Sequence, residues 1–256
     1  AGATSYGVAF GTTNPPPTVS TAQTTTTYQP SSALAAGTKY YWKVTANGSG
    51  GTTAGPVWSF TTATGTPPPP TGNIVIYASD VPAANLHGWT TASDSTSPGS
   101  IKLVTPDNGA ANTNAPLASP SQYFDVTFSA AAGTPYTIWL RLKALNNNKF
   151  NDSVWAQFSD ARVNGQAVYP IGSTSGLLVN LATNANATSL NGWGWQNGAY
   201  WLAQPTTVTF ATSGTHTLRI QIREDGVQLD QIVLSSTTYL TTPPGPVSND
   251  NTIVPK

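Results

Sequence analysis

The sequence contains no cysteine and no methionine, and only 8% of its 256 residues are charged. Without cysteine, disulfides, zinc–thiolate sites and thiol nucleophiles are excluded. Ten basic and ten acidic residues give a formal net charge of zero, whereas nucleic acids and anionic lipids attract proteins that carry a basic excess. No stretch approaches the roughly 18 apolar residues of a membrane span. We therefore expect no nucleic-acid partner and no membrane insertion.

The residues that are abundant point to a secreted chain. Thr, Ser, Asn, Gly and Pro are frequent, and 10% of the residues are aromatic, a composition typical of bacterial surface proteins. Because the chain has no initiating Met, we expect a processed or excised piece from which any signal peptide has been removed. The predicted localisation is extracellular or at the cell surface.

Charge and proline divide the chain into segments. Residues 1–72 contain two charged side chains, Lys39 and Lys43, and no carboxylate. Four consecutive prolines follow Thr66 and favour stiff polyproline II, as in a semi-rigid spacer. The predicted segments are an N-terminal domain at 1–63, a Pro-rich linker at 64–72, a larger domain at 73–240 and a Pro/Gly-rich tail at 241–256. The tail is either a second linker or a strand donated to a neighbouring molecule.

The N-terminal segment has the period-two pattern of strands, with Tyr40, Trp42 and Val44 on one face. The run from Leu34 to Ala46, followed by Gly-Pro-Val-Trp-Ser-Phe-Thr-Thr at 55–62, resembles the C-terminal half of a fibronectin type III domain. The resemblance implies an immunoglobulin-like sandwich whose first two strands are absent. Another segment would then complete it, and residues 249–255 of a neighbouring molecule are one candidate.

The larger segment contains many short alternating runs, such as Thr134–Leu145 and Thr215–Arg223. Turn dipeptides separate several of them, for example Ser213-Gly214 and Asp225-Gly226. Short strands at this spacing predict an antiparallel sandwich. The predicted fold class is all-β, with two antiparallel β-sandwich domains.

Two carboxylates interrupt the apolar pattern of the predicted strands. Asp230 falls in register with Ile232 and Leu234, and Asp80 falls in register with Ile76. A buried carboxylate needs a partner, because burying it alone is costly. One interpretation is hydrogen bonding to the backbone or to Arg. The other is a hard cation, Ca²⁺, held by Asp80 and Asp230 from the first and last strands.

An aromatic cluster lies between Asn191 and Trp201, where glycines alternate with large rings. Glycine allows such rings to project from a loop, and flat rings offer apolar contact to sugar C–H groups while amides fix hydroxyl groups. The alternative is that one or two of these rings close the end of the sandwich. The predicted ligand-binding residues are Trp193, Trp195, Gln196, Asn197, Tyr200 and Trp201, with Trp155 as a weaker candidate.

Most of residues 73–236 resembles the carbohydrate-binding modules of the family 6, family 35 and malectin-like group. The matching elements are Asp152-Ser-Val-Trp155, Trp193-Gly-Trp195, Gly214–Ile220 and Gly226–Leu234. The resemblance implies a jelly-roll fold, sugar stacking at Trp193 and a structural Ca²⁺ at Asp230. It fails at the first strand, where related modules have Glu-x-Glu and this chain has Tyr77-Ala-Ser-Asp80.

The sequence predicts no catalytic site. Glu224 is the only glutamate and adjoins Asp225, but neighbours in a strand point to opposite faces, and a glycosidase needs two carboxylates about 5–10 Å apart. We therefore predict a non-catalytic module of a secreted multidomain protein that binds a neutral glycan or polysaccharide. One alternative is a structural or adhesive subunit of an extracellular filament, which binds copies of itself by strand exchange. Another is a subdomain of an enzyme whose catalytic part lies elsewhere.

Overall fold

The computed structural model describes residues 2–32, 34–62 and 72–256. The chain forms two compact units, Ala1–Pro68 and Pro69–Lys256. The predicted linker at 64–72 lies, except for Gly72, outside the described residues. Every pairing between strands is antiparallel in the described part of the chain. The prediction of an all-β antiparallel fold is confirmed. None of the helices in the described ranges is long and apolar enough to cross a membrane.

The first unit is built on one five-stranded sheet. Its strands are β1 (Ser5–Gly11), β2 (Thr18–Gln23), β3 (Lys39–Gly48), β4 (Gly51–Ala54) and β5 (Trp58–Thr61). They have the order β2-β1-β3-β4, and β5 also pairs with β3. One face carries apolar cross-strand pairs, including Phe10 opposite Trp42 and Tyr40 opposite Phe60. A groove of about 550 Å³ runs along this face. The resemblance to fibronectin type III stays a prediction.

The second unit contains fourteen strands and four single-turn 3₁₀ helices within the described residues. The helices are Ala78–Asp80, Ala83–Asn85, Pro98–Ser100 and Leu145–Asn147. The strands are β6 (Ile74–Tyr77), β7 (Leu86–His87), β8 (Thr90–Ser93), β9 (Ile101–Val104), β10 (Tyr123–Ala130), β11 (Tyr136–Ala144), β12 (Ser153–Phe158), β13 (Ala161–Val163), β14 (Gln166–Ala167), β15 (Leu177–Asn180), β16 (Trp193–Gln196), β17 (Thr207–Phe210), β18 (Gly214–Ile222) and β19 (Val227–Ser235).

Two sheets enclose the main core of this unit. One has the order β15-β12-β18-β10-β7, and the other has the order β14-β13-β17-β11-β19-β9-β8, with β16 added to β11 and β6 added to β19. Alternation along β18 places Leu218 and Ile220 in the core, and alternation along β11 places Ile138 and Leu140 there. The core therefore lies between the two sheets, as the alternating runs predict.

The opposite face of β11 is buried as well. Trp139 and Arg141, which alternate with the core residues, are both buried. The C-terminal tail covers this face. Trp195 N–H donates to the Pro246 carbonyl at 3.1 Å, and Val254 packs in a cluster with Trp139 and Trp195.

The tail packs against its own unit rather than running away from it as a linker. Gln231 and Val254 exchange two hydrogen bonds, with Nε2 donating to the Val254 carbonyl at 2.5 Å and the Val254 N–H donating to Oε1 at 3.2 Å. Asp250 accepts a hydrogen bond from Arg141 Nε at 2.6 Å. In this structure residues 241–256 therefore pack on their own unit, and donation to a neighbouring molecule stays a prediction.

A β-bulge in β19 changes the predicted direction of Asp230. The register against β11 passes from Gln231 opposite Arg141 to Leu229 opposite Leu142, which leaves Asp230 as the extra residue. Asp230 therefore points to Arg141 on the tail-covered face and not into the core beside Ile232. The alternating pattern alone could not reveal this change, because a bulge inserts one residue without altering the composition of the strand.

Candidate functional site

The two tryptophans of the Trp-Gly-Trp motif lie in a buried strand and not on a projecting loop. Trp193 is 4% exposed and Trp195 is 1% exposed, because β16 pairs with β11 and the tail passes over it. Gly194 makes this packing possible, since a Cβ at that position would overlap the Val247 carbonyl. The glycine serves close approach of the tail rather than loop flexibility. Neither ring therefore offers a face to a ligand here.

The other predicted ligand residues divide into buried and exposed ones. Trp155 is buried against Leu178 and Ala199. Gln196 and Asn197 are partly buried and do not border the cavity described next. Tyr200 and Trp201 are 48% and 44% exposed. Of the predicted residues, only these last two form an accessible aromatic surface.

A cavity of about 240 Å³ is lined by Tyr200 and Trp201 together with mostly polar residues. The two rings meet edge to face, with centroids 4.5 Å apart and planes at 72°. Phe150, which is 55% exposed, adds a third ring to the rim. The remaining lining residues are Asn112, Lys149, Asp152, Asn180, Ala182, Asn184, Ala185, Ala187, Arg223 and Glu224.

The sheet order explains why these residues meet. Strand β12 lies between β15 and β18 and is antiparallel to both. The start of β12 is therefore beside the ends of its two neighbours, with Ser153 opposite Asn180 and Val154 opposite Ile222. Asp152 precedes β12 and Glu224 follows β18, so the two acidic side chains come together at one end of the sheet.

Glu224 is a buried carboxylate that accepts hydrogen bonds at both oxygens. Oε1 accepts from Asn112 Nδ2 at 2.9 Å and from Arg223 Nη1. Oε2 accepts from Ser153 Oγ at 2.7 Å and from the Asp152 N–H at 3.2 Å. Four hydrogen-bond donors therefore surround this carboxyl group.

Asp152 is buried next to Glu224, and only one of its two carboxyl oxygens accepts hydrogen bonds. Its Oδ2 accepts from the Ala182 N–H at 3.1 Å and from Asn180 Nδ2 at 3.3 Å. Its Oδ1 is buried and has no partner among the donors of the described residues. Burial raises the pKa of Asp152 to about 8, together with the hydrogen bond and the negative charge of Glu224, while Ala182 N–H and Arg223 act in the opposite direction. At neutral pH the Asp152 carboxyl group is therefore mainly protonated.

Trp155 and Arg223 lie next to the segment that carries the exposed rings. Trp155 Nε1 donates to Thr113 Oγ1 at 2.8 Å, and its ring packs against Ala199, the residue before Tyr200. Arg223 places its guanidinium carbon 5.7 Å from the centre of the Trp201 ring.

The two residues proposed for Ca²⁺ have different partners. Asp230 accepts from Arg141 Nη1 at 2.5 Å with both side chains fully buried, which is the Arg alternative that the sequence left open. Asp80 lies in a 3₁₀ turn, where it accepts from the Tyr77 N–H at 2.7 Å and from Lys256 Nζ at 2.5 Å. Within residues 2–32, 34–62 and 72–256, no three His, Asp or Glu side chains form a group that could hold a metal ion.

Most of the polar residues that line the cavity were not predicted as site residues from the sequence. The sequence identifies Glu224 as the only glutamate but does not place it in a binding site. Its neighbour Asp225 does not line the cavity and accepts from the Asn108 and Ala110 N–H groups, both at 2.9 Å. Phe150 and Asn180 carry no local signal, because only the order of strands β15, β12 and β18 brings them to Tyr200.

Comparison with protein-family models and with curated proteins found no match. Among solved structures, the chain is similar to a Podospora anserina GH26-CBM35 β-(1,4)-mannanase, with 14% identity, a TM-score of 0.39, and coverage of 65% of this chain and 28% of the mannanase. It is also similar to a CBM6 carbohydrate-binding module of a Cellvibrio mixtus lichenase in complex with cellotriose, with 15% identity and a TM-score of 0.35. A third is the C-terminal CBM6 of a laminarinase from Zobellia galactanivorans, with 13% identity and a TM-score of 0.35. Each of these two modules is covered over 98% of its length by 64% of this chain.

Proposed function

We propose that the second unit is a non-catalytic glycan-binding module and that the cavity beside Tyr200 and Trp201 is its binding site. The observation that carries this proposal is the exposure of two large rings, 48% and 44%, at a cavity that amide and acidic side chains also line. Exposed aromatic faces suit the C–H surface of a sugar ring, and amide and carboxyl groups suit its hydroxyls. The binding residues in this proposal are Phe150, Tyr200 and Trp201 at the rim, and Asn112 and Asn180 in the wall.

The chemistry of the acidic pair supports binding rather than hydrolysis. The backbone N–H of Asp152 donates to Glu224 Oε2 at 3.2 Å, so the two acids are immediate neighbours, whereas the two carboxyl groups of a glycosidase are separated by about 5–10 Å to admit the scissile bond or a water molecule. Both are also engaged by groups of the fold, such as Ser153 and Ala182. We assign them to the floor of a binding site.

The proposed setting is extracellular or at the cell surface, as part of a larger secreted protein. The composition supports it, because a chain without cysteine or methionine and rich in Thr, Ser and Asn is typical of such proteins. The proposed partner is a neutral glycan or polysaccharide.

A glycan array with point variants tests the proposal. Replacing Trp201 or Tyr200 by Ala removes a stacking surface worth about 1.5–3 kcal/mol when buried, which corresponds to roughly 10- to 150-fold in affinity. Leu202→Ala is the matched control, because Leu202 is equally exposed, at 41%, but does not line the cavity. We expect the first two variants to lose binding and the control to retain it. Binding that survives both aromatic substitutions would refute this site.

Self-association is a second candidate function, and the first unit favours it. Trp58 and Phe60 are 42% and 41% exposed on the apolar face of its sheet. The tail does not support the strand-exchange version, because it is engaged with Arg141 and Gln231 of its own chain. Sedimentation velocity of the full chain and of Trp58→Ser tests this candidate. Dimers or polymers that dissociate in the variant would support it, and a monomer at all concentrations would exclude it.

A further inference from the structure

The unpartnered Oδ1 of Asp152 needs an explanation, because its residue is 1% exposed and both the residue and its neighbour Glu224 line the proposed binding cavity. Two buried carboxyl groups in contact cannot both be ionised without strong repulsion. A proton bound at Asp152 supplies Oδ1 with a hydrogen and leaves the pair with one negative charge, which Arg223 balances.

We infer that Asp152 and Glu224 share one proton and that this proton holds the cavity in its binding form, so that the site releases its glycan when the proton leaves. This inference rests on the proposed function and concerns its regulation. The proton is exchanged with solvent, so no other reactant is needed. The pair takes up one proton when the cavity adopts its binding form and gives up one proton when the glycan is released.

The hydrogen bonds around the pair explain how a proton can control the cavity. Asp152 Oδ2 holds the Ala182 N–H and the Asn180 side chain, which belong to the wall formed by residues 180–187. Glu224 holds Asn112 and Arg223, which also line the cavity. If the pair becomes doubly charged, separating the two carboxylates displaces the lining residues that one of them holds.

The other ionisable groups near the pair are Arg223 on the Glu224 side, and Lys149 and Tyr200 on the cavity rim. Asp225 binds the backbone N–H groups of Asn108 and Ala110, and Asp107 accepts from the Asn151 amide at 3.0 Å. The ordinary pKa values of arginine, lysine and tyrosine side chains are all about 10 or higher. The pair is therefore the group expected to titrate between about pH 6 and 9.

The ligand-free test is a pH titration of the full chain by NMR, in which the side-chain carboxyl carbon of Asp152 and the Trp201 indole N–H are followed from pH 5 to pH 9.5. We expect both signals to shift with a common midpoint near pH 8. An Asp152 midpoint near the ordinary value of about 4 would overturn the inference, as would a Trp201 signal that does not follow Asp152.

Two variants and a control make the test specific. Asp152→Asn mimics the protonated acid, because its amide can donate to Glu224 and its carbonyl can accept from Ala182, so the Trp201 shift should no longer depend on pH. Glu224→Gln should lower the Asp152 midpoint, since the neighbouring charge is removed. Asp225→Asn changes an adjacent buried acid outside the cavity and should leave the midpoint unchanged.

Calorimetric titration with cello-, manno- and xylotetraose at pH 7 and pH 9 measures the effect on binding. A midpoint near pH 8 leaves about a tenth of the molecules protonated at pH 9, so the affinity should be about tenfold weaker than at pH 7. Asp152→Asn should bind equally at both values. Equal affinity of the unmodified protein at both pH values, or binding that requires added Ca²⁺, would overturn the inference. Absence of binding to any glycan, together with a midpoint near pH 8, would refute the proposed function while leaving the shared proton established.

Discussion

The strongest structural prediction concerns Asp250, which joins the C-terminal tail to the outer face of β11. Arg141 donates from Nε to Asp250 Oδ2 at 2.6 Å and from Nη1 to Asp230 Oδ2 at 2.5 Å, and all three side chains are fully buried. Arg141 Nη2 also donates to the Asp250 carbonyl at 2.9 Å. The Trp193 ring lies 5.0 Å from the guanidinium carbon. One substitution therefore perturbs both an ion cluster and the seating of the tail.

The magnitude follows from the loss of one partner of a buried ion pair. Asp250→Ala removes the acceptor of Arg141 Nε and the acceptor of the Thr252 N–H, which lies at 3.1 Å. Breaking a buried pair in this way costs about 3–5 kcal/mol. For a unit of this size, about 2–4 °C per kcal/mol gives a decrease in Tm of roughly 10 °C. The tail should also detach more easily and expose Trp193 and Trp195.

Charge balance within the cluster gives this prediction a second readout. Two carboxylates face one guanidinium, and burial raises the pKa of Asp230 to about 7 although Arg141 lowers it. A raised pKa means that the folded state holds a proton that the unfolded state releases, so stability falls as pH rises from about 4 to 7. In Asp250→Ala the guanidinium is left to Asp230 alone, so this pH dependence should become smaller.

Urea unfolding followed by tryptophan emission measures the effect. Asp250→Asn keeps an oxygen acceptor for Arg141 and should lose less stability than Asp250→Ala. Asp160→Asn is a control at a carboxylate whose side chain is 38% exposed, because the amide can still hydrogen-bond to His216 Nδ1. A loss below about 1 kcal/mol in Asp250→Ala, or a loss no greater than that of the control, would refute the assignment of the tail to the folded unit.

Three further predictions follow from the packing and the pKa shifts. Gly194→Ala should release the tail and lower Tm, because its Cβ would overlap the Val247 carbonyl, whereas Gly198→Ala has room and should not; differential scanning calorimetry compares them. Trp193→Ala should cost about 3–5 kcal/mol of stability yet leave glycan affinity unchanged, which separate unfolding and array measurements can test. Because the pKa of Asp152 is raised to about 8, its contribution to stability is full below pH 4 and is lost as pH rises towards 8; Asp152→Asn should flatten this part of the pH–stability profile.

The all-β fold could be predicted because alternation is a local property of the chain. The runs around Phe124, Ile138 and Ile220 each carry the period of two that a half-buried strand requires, and all three residues lie in the main core. The short strands β13, β14 and β15 had no such signal, since their length leaves too few alternations to recognise.

The positions that sequence could not predict depend on contacts between distant segments. Trp193 lies in a segment with the composition of a ligand-binding loop. The tail, which follows more than 50 residues later in the chain, buries this residue. Asp230 has the register of a core residue, but a bulge redirects it to Arg141. The sequence predicts Tyr200 and Trp201 as ligand-binding residues together with the rest of the aromatic cluster. The cavity beside them depends on the order of the strands, which the sequence does not reveal.

The most direct test of the glycan-binding site is the tryptophan indole region of a ¹H–¹⁵N spectrum during titration with cello-, manno- and xylotetraose. The chain has eight tryptophans, so each indole N–H reports on a different place, and a Trp201→Phe spectrum assigns the signal of Trp201. We predict that one or more of these sugars shifts the Trp201 signal while those of Trp193, Trp195 and Trp58 stay unchanged. Sugar-dependent shifts at Trp193 or Trp58 with none at Trp201 would contradict the proposed site.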